Sequence, residues 1–236
     1  MRRIIIVGGV CVAAIAALFG IWRLSSSRTF QLFGEIVPRV NTSERVVALT
    51  FDDGPTPAAT NQILPILRER DVKATFFVIG AELEQHLEEG RRIAQAGHEL
   101  GNHSYSHDRM IFKTPSFIRE EIERTDQLIR QTGYQGPIHF RAPFGKKLVS
   151  LPYYLSQTHR RNIMWDIEPD SFPQVAQSSD QIVDYVLTRT QPGSIIILHI
   201  MYPSRATSFH AVPGIIDGLK QRGYRFKTVS ELLSSK

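Results

Sequence analysis

The sequence predicts an α/β domain preceded by an N-terminal transmembrane helix. Over residues 46–228, short apolar runs rich in β-branched and aromatic residues alternate with amphipathic stretches, as strands and helices do in layered α/β folds. An uncharged run of 19 residues, from Ile4 to Trp22, comes before them. With 42% hydrophobic and 22% charged residues, the composition excludes a disordered chain, a collagen-like repeat and a polytopic membrane protein.

The uncharged run is long enough to form a helix of about 28 Å, close to the thickness of the hydrocarbon core of a bilayer. Arginine residues flank it at both ends. We interpret residues 1–23 as an uncleaved anchor that contacts the membrane through residues 4–22. A signal peptide cleaved after the small residues 14–16 is the alternative. Either reading predicts a domain on the extracytoplasmic side, and the anchor predicts a single-pass protein of the cell membrane.

Charge and cysteine content narrow the possible partners and cofactors. The net charge is +5, but three arginines lie within residues 1–23, and the rest of the chain carries 25 basic and 23 acidic residues. Such a balanced domain gives no support for a nucleic-acid partner. The single cysteine, Cys11, excludes an internal disulfide and a cysteine-based structural zinc site.

Residues 24–45 show no periodicity and are interpreted as a spacer, and residues 46–234 as the domain itself. The seven predicted strands are Val46–Phe51, Ala74–Ile79, His98–Asn102, Ile138–Arg141, Asn162–Trp165, Ser194–His199 and Tyr224–Thr228. The predicted helices are Asn61–Arg70, Glu82–Ala96, Ser116–Thr132, Asp180–Thr190 and Val212–Gln221. Continuous apolar strands favour a parallel sheet buried on both faces. Periodicity alone leaves open a doubly wound sheet or a small (β/α) barrel.

Two adjacent carboxylates, Asp52 and Asp53, follow the first predicted strand and precede a Gly-Pro turn. Ligands of α/β folds bind at the carboxyl ends of the strands. Because neighbouring side chains diverge, one carboxylate can bind a metal while the other accepts a proton. A helix N-cap or an Asx turn is the structural alternative.

Histidine and arginine residues follow three other predicted strands. His103 and His107 lie four residues apart and can converge on one metal ion, or they can be solvated loop histidines. Arg141 can hold a carboxylate with two parallel hydrogen bonds, or form an ordinary surface salt bridge. His199 ends an apolar strand and can serve in acid–base chemistry, or be a satisfied core histidine.

Together and in this order, these motifs resemble those of the polysaccharide deacetylase family with its NodB homology domain (carbohydrate esterase family 4). The resemblance spans about residues 46–234 and is carried by the runs TFDDGP, HSxxH, RxPFG and ILH. It implies a distorted (β/α) barrel of about seven strands. It also implies a hydrolase that removes N-acetyl groups from an extracytoplasmic glycan with N-acetylglucosamine-type units, such as peptidoglycan, a chitin-like oligomer or poly-N-acetylglucosamine.

The resemblance implies the central residue roles as well. Asp53, His103 and His107 would bind a divalent metal, with zinc as the leading candidate. Asp52 would act as the general base, and His199 as the general acid that protonates the departing amine.

Five further roles follow from the same resemblance. Arg141 would pair with Asp52, and the backbone N–H of Phe144 would face the oxyanion. Glu168 stands where the family usually carries an aspartate and would orient His199. Phe172, at a position usually held by tryptophan, and Leu198 would form apolar walls of the acetyl pocket.

Two other functions remain open from the sequence. One is a deacylase or deformylase that acts on another amide, such as that of a lipid-linked sugar. The other is a non-catalytic glycan-binding module, which predicts a missing metal ligand or a missing base. Asp52, Asp53, His103, His107 and His199 are all present, which favours an enzyme.

Overall fold

The computed structural model describes the backbone of residues 2–235 and the side chains of residues 13–235. The strands are β1 (Ile36–Val37), β2 (Val46–Asp52), β3 (Thr75–Val78), β4 (Glu99–Asn102), β5 (Asn162–Ile163), β6 (Ile195–His199) and β7 (Arg225–Lys227). The helices are α1 (Arg2–Ser26), α2 (Pro57–Glu69), α3 (Gly80–Gln85), α4 (Leu87–Gln95), α5 (Pro115–Gln131), α6 (Ser150–Gln157), α7 (Ser179–Arg189), α8 (Ala206–Gln221) and α9 (Val229–Leu233).

A five-stranded parallel sheet forms the centre of the fold. Its strands run in the order β4, β3, β2 and β6, and β7 also pairs with β2. β1 and β5 form a separate parallel pair. Isolated bridges join the two sheets, since Phe140 pairs with both Asn162 and Asn102, and Ile167 pairs with Ile196. The parallel pairing therefore continues around the molecule, as in a distorted barrel, and the α/β class is confirmed.

The central strand β2 is buried along its whole length. Alternate residues contribute to two different apolar clusters. Leu49 and Phe51 pack in the larger cluster with residues of α2 and α8. Val46 and Ala48 pack in the other, with residues such as Trp165. Burial on both faces explains why the strand reads as a continuous apolar run rather than as an alternating one.

The predicted helices and strands differ from the structure at several boundaries. The predicted strand 138–141 is reduced to bridges at Phe140, and the predicted strand 162–165 to its first two residues. The predicted helix 82–96 is divided at His86 into α3 and α4. At the seam of the barrel, Phe140 forms single bridges to β4 and β5, and β5 pairs with β1 over only two residues.

The structure does not support the transmembrane helix that the sequence predicted before the barrel. α1 covers the apolar run, but the side chains of residues 2–12 lie outside the described ones, and Cys11 with them. In the part of the chain that the structure describes, no helix has the length and apolar character that a membrane crossing requires. The expected single-pass localisation and membrane contact are withdrawn on this finding.

Residues 24–45, expected to be a spacer, lie against the barrel. β1 pairs with β5, and the side-chain amide of Asn162 donates to Gln31 Oε1 at 3.0 Å. Val37 and Val40 are buried in the same cluster as β5. The segment thus covers the seam of the barrel and contributes apolar area to it.

The turn at Gly193 packs closely against the segment of residues 24–45, so substitution of this glycine should reduce stability. Gly193 has φ +80°, and a Cβ there would lie 1.9 Å from the Val40 carbonyl oxygen. Gly133 has φ +87° with no atom within 4 Å of such a Cβ. Gly133→Ala should cost about 1 kcal/mol of unfolding free energy for the left-handed backbone alone. Gly193→Ala should cost about 3 kcal/mol or more, because the Val40 backbone must also move. Equal losses for the two variants in equilibrium urea unfolding would contradict this account.

Candidate active site

The carboxyl ends of three strands bring the predicted site residues together. Asp52 ends β2 and lies in register with His199 at the end of β6. Asp53 follows β2 directly, and His103 follows β4. Because the strands are parallel, their carboxyl ends lie at the same end of the barrel, which is where ligands bind in such folds.

Asp53, His103 and His107 form a cluster that fits a metal ion, with ligand atoms all within 4.8 Å of one another. Asp53 Oδ1 lies 3.4 Å from His107 Nε2 and 4.0 Å from His103 Nε2. Any two ligand atoms of a tetrahedral zinc site are about 3.4 Å apart, given metal–ligand distances near 2.1 Å. Asp53 Oδ1 is also buried without a hydrogen-bond partner among the described residues, so a cation would satisfy it. One carboxylate and two imidazoles are a donor set typical of catalytic zinc.

The protonation states of the three ligands suit a cation. His103 Nδ1–H donates to the Arg141 carbonyl oxygen at 2.8 Å, which leaves Nε2 free to bind a metal. Burial lowers the pKa of His103 to about 3 and also lowers that of His107, so both rings are neutral near pH 7. Burial, reinforced by the charge of Asp52, raises the pKa of Asp53 to about 6. A buried carboxylate that is costly to ionise alone is the kind of group that a metal ion stabilises.

Several non-glycine residues at this site have a left-handed backbone. They are Asp53 (φ 75°), Ser104 (φ 65°), His107 (φ 59°) and Phe144 (φ 56°). Such conformations are uncommon and persist where the surrounding structure holds them. Hydrogen bonds hold the histidine turn, since the Ser104 N–H donates to Asn102 Oδ1 and the His107 N–H donates to Ser104 Oγ.

Asp52 is held by a fully buried arginine. Arg141 Nη1 donates to Asp52 Oδ1 at 2.5 Å and to Thr50 Oγ1 at 2.8 Å. Burial alone would raise the pKa of Asp52, but the charge of Arg141, aided by nearby histidines, holds it below the ordinary value of 3.8. The second oxygen, Oδ2, lies 3.4 Å from His103 Nε2. Asp52 is therefore an ionised acceptor with one oxygen anchored and the other facing the metal ligands.

His199 is paired with Asp170, whereas the sequence analysis expected Glu168. His199 donates its backbone N–H to Asp170 Oδ2 at 2.7 Å and its Nδ1–H to the same oxygen at 3.2 Å. Burial alone would lower the pKa of His199, but this hydrogen bond and the charges of Asp170, Asp52 and Asp53 raise it to about 9. The ring is therefore protonated near pH 7 and can donate a proton.

Glu168 points to a different group of residues. Its Oε1 accepts from Ser171 Oγ at 2.8 Å, and its Oε2 lies 3.3 Å from Arg28 Nη1. Arg28 also lies 5.3 Å from the ring centre of Trp165. An arginine from the segment before the barrel thus reaches the edge of the site, where Glu168 balances its charge.

The remaining predicted residues lie in different surroundings. The Phe144 ring is exposed and its centre lies 4.7 Å from that of His107. Leu198 is fully buried in the larger apolar cluster. Phe172 packs against Tyr185 of α7, with ring centres 5.6 Å apart.

Sequence reasoning missed Asp170 and Trp165 as parts of the site. Both lie in the acidic and aromatic run after β5, and the spacing within an irregular loop does not show which acid turns toward His199. Trp165 is buried, lies 5.6 Å from the Arg141 guanidinium, and leaves its indole nitrogen without a partner among the described residues. The sequence signal for these two residues was the run of acidic residues that directly follows Trp165.

Comparisons with known proteins identify the family of this chain. The family model for polysaccharide deacetylase matches residues 39–163. The peptidoglycan-N-acetylmuramic acid deacetylase PdaC of Bacillus subtilis is 35% identical over 82% of this chain, which spans 40% of that protein's length. A peptidoglycan-N-acetylglucosamine deacetylase of Bacillus cereus is 30% identical over 86% of this chain and 95% of its own length.

A solved structure extends the likeness to the fold. The crystal structure of a CE4-family pseudoenzyme from Bacillus anthracis is 26% identical, with a TM-score of 0.76 over 84% of this chain and 69% of that one. The family match covers more than half of the sequence. This chain belongs to the polysaccharide deacetylase family. Since the family includes a pseudoenzyme, activity has to be argued from the site itself.

The pairing of His199 with Asp170 yields a titration prediction. In Asp170→Asn the pKa of His199 should fall from about 9 toward the ordinary 6.5, because the carboxylate that stabilises the imidazolium is gone. Glu168→Gln, which removes a carboxylate that does not contact His199, should leave that pKa near 9. Proton NMR titration of the imidazole resonances measures both values. A fall in the Glu168 variant rather than the Asp170 variant would restore the assignment made from the sequence.

Proposed function

We propose that this protein is a metal-dependent N-deacetylase of glycans built from N-acetylated amino sugars, such as peptidoglycan or a chitin-type oligomer. One observation carries the proposal. An Asp/His/His cluster that fits a metal ion lies beside an ionised carboxylate, Asp52, which pairs in register with a protonated imidazole, His199. A base and an acid whose environments separate their pKa values around one reaction centre are the requirement for hydrolysis of an amide.

The relatives support the substrate class. PdaC is named for N-acetylmuramic acid of peptidoglycan, and the Bacillus cereus protein for N-acetylglucosamine of peptidoglycan. A chitooligosaccharide deacetylase of Bradyrhizobium also matches, at 32% identity over 80% of this chain. Each of these names describes removal of an acetyl group from an amino sugar. We propose that this chain cleaves the same kind of N-acetyl amide bond.

Asp53, His103 and His107 would hold the metal. A bound divalent ion such as zinc would polarise the acetamide carbonyl and increase the acidity of the attacking water. The residues themselves favour this occupancy, since both imidazoles are neutral and one Asp53 oxygen lacks any other partner among the described residues. We expect zinc to bind in preference to magnesium, because imidazole nitrogen is a poor ligand for magnesium.

Asp52 would serve as the general base. Oδ1 is anchored by Arg141, which leaves Oδ2 to accept a proton from a water held beside His103. Because the pKa of Asp52 is below its ordinary value, the carboxylate is ionised near pH 7. Its basicity is low, so proton transfer depends on the acidity of the attacking water.

His199 would serve as the general acid. Nδ1 is committed to Asp170, so Nε2 carries the proton that can pass to the departing sugar amine. We assign the backbone N–H of Phe144 to the oxyanion and Leu198 to the apolar floor below His199. Phe172 lies against α7 and is assigned to the outer wall of the acetyl pocket.

The first experiment measures acetate release. The full chain is supplied with zinc and N-acetylglucosamine oligomers, with and without a chelator, and with zinc added back. The proposal predicts acetate release that the chelator abolishes and zinc restores. Formate release, or release of another acyl group from a lipid-linked sugar, would favour a deacylase of another amide. Zinc and glycan binding without any release would favour a non-catalytic glycan-binding module.

Asp52→Asn separates catalysis from metal binding. The variant keeps the three metal ligands and a similar shape but loses the proton acceptor, so turnover should fall by at least about 100-fold. Zinc binding, measured by calorimetry, should be retained. Asp180→Asn, at the exposed start of α7, is the matched control and should keep wild-type turnover. Activity of the Asp52 variant near that of the wild type would remove Asp52 as the base.

A further inference from the structure

A buried acidic residue interrupts the largely apolar inner face of α5. Glu121 is only 6% exposed. The other buried residues of this helix are Ile118, Ile122, Thr125, Leu128 and Ile129. Glutamate is almost never buried to this extent unless its charge has a partner. In the described part of the chain the Glu121 carboxylate forms no salt bridge, and Arg124 of the same helix pairs with Glu84 instead. The partners of Glu121 are therefore neutral donors.

Two backbone N–H groups are these donors. Glu121 Oε2 accepts from the Tyr105 N–H at 3.0 Å and from the Ser106 N–H at 2.8 Å. Both N–H groups lie in the histidine turn (residues 103–107), between the candidate metal ligands His103 and His107. Hydrogen bonds to an ionised acceptor are roughly twice as strong as those between neutral groups. A carboxylate from α5 thus holds the peptide segment that joins two ligands of the metal site.

The histidine turn needs such acceptors because its backbone is strained. Ser104 and His107 both have a left-handed backbone, a conformation that persists where neighbouring groups hold it. The four N–H groups of residues 104–107 are all hydrogen bonded. Two of them use acceptors within the segment, since Ser104 bonds to Asn102 Oδ1 and His107 bonds to Ser104 Oγ. The other two bond to Glu121, which is the support that comes from another helix.

The carbonyl groups of the same turn bond to α3. The N–H of Gly80 donates to the Ser104 carbonyl oxygen at 2.8 Å. The N–H of Ala81 donates to the Tyr105 carbonyl oxygen at 3.0 Å. A Cβ at Gly80 would lie 2.4 Å from Thr125 Oγ1, so α3 and α5 are in contact at this point. The histidine turn is therefore held by two helices that pack against each other, and Glu121 is the contact from α5.

We propose that Glu121 is a positioning residue of the metal site. By holding the backbone between His103 and His107, its carboxylate sets the affinity of the site for the metal ion. The two imidazole ring centres lie 4.9 Å apart, and both rings must keep their positions to bind one ion. A turn that is already ordered loses less conformational freedom when the ion binds. The inference rests on the proposed function, because it takes Asp53 and the two histidines as the ligands.

The test measures the zinc affinity of the full chain by calorimetry, without substrate. Glu121→Ala removes the acceptor. Glu121→Gln retains an acceptor oxygen of the same reach without the charge, and Glu121→Asp retains the charge on a shorter side chain. Glu120→Ala is the matched control, because Glu120 is exposed on the same helix and its removal changes the net charge equally.

We expect Glu121→Ala to weaken zinc binding by about 10- to 100-fold, as the loss of a group that orients metal ligands does. Glu121→Gln should lose less affinity, because a neutral oxygen still accepts the two N–H groups. Glu121→Asp should resemble Glu121→Ala, since its carboxylate no longer reaches both groups. Glu120→Ala should bind zinc as the wild type does. At saturating zinc, acetate release by Glu121→Ala should approach the wild-type rate, because the variant retains Asp52 and His199.

Amide hydrogen exchange of the metal-free chain separates a local effect from general unfolding. In Glu121→Ala, the N–H groups of Tyr105 and Ser106 should exchange faster, while those of the buried strand β2 keep their protection. If protection in β2 is lost as well, the comparison is made with Glu121→Gln, whose zinc affinity must then be weaker than that of Glu120→Ala.

Two results would overturn the inference: equal zinc affinities of the Glu121 variants and Glu120→Ala, or unchanged exchange at Tyr105 and Ser106 in Glu121→Ala. The zinc readout also separates this inference from the deacetylase proposal. If the wild type binds zinc through a turn that depends on Glu121 but releases no acetate, the inference stands and the deacetylase proposal falls. If acetate release depends on zinc while Glu121 leaves zinc affinity unchanged, the reverse holds. A wild type that binds no zinc would overturn both.

Discussion

The buried ion pair between Arg141 and Asp52 is the interaction on which the site depends. Arg141 is fully buried, and its guanidinium lies 4.0 Å from the ring centre of Phe77. It donates to Asp52 and Thr50 on β2 and to the backbone carbonyls of Ile163 and Met164. An arginine in such surroundings is tolerated only when a carboxylate and further acceptors balance its desolvation. The pair therefore connects the central strand to the seam of the barrel.

The same pair gives two adjacent carboxylates opposite behaviour. Asp52, next to Arg141, has a pKa below its ordinary value, whereas Asp53 has a pKa raised to about 6 by burial. Asp53 also keeps one oxygen without a hydrogen-bond partner in the described chain. Asp52 thus has a permanent positive counter-charge in Arg141, whereas Asp53 has no such cation beside its free oxygen in the described chain. Under the proposed function, this difference suits the first carboxylate to accept a proton and the second to bind a metal ion.

The sequence predicted the parts of the site that depend on order along the chain. The buried strand β2 was recognisable as a continuous apolar run, and Asp53, His103 and His107 were recognisable from motifs that follow strands. The partner of His199 was not, because Asp170 lies in an irregular loop, where spacing does not determine direction. Residues 24–45 showed no periodicity, yet Arg28 from that segment reaches Glu168. The apolar run of α1 predicted a membrane span that the described residues do not support.

Arg141 must hold Asp52 ionised if Asp52 is to act as a base, and the pKa of the Asp52 carboxyl tests this requirement. Carbon NMR of aspartate-labelled full-length protein, with the resonance assigned by Asp52→Asn, measures that value. We predict a pKa below the ordinary value of 3.8, because the charge of Arg141 stabilises the carboxylate. A carboxyl that titrates at or above its ordinary value would contradict the account, since Asp52 would then lack the counter-charge on which its role as a base depends.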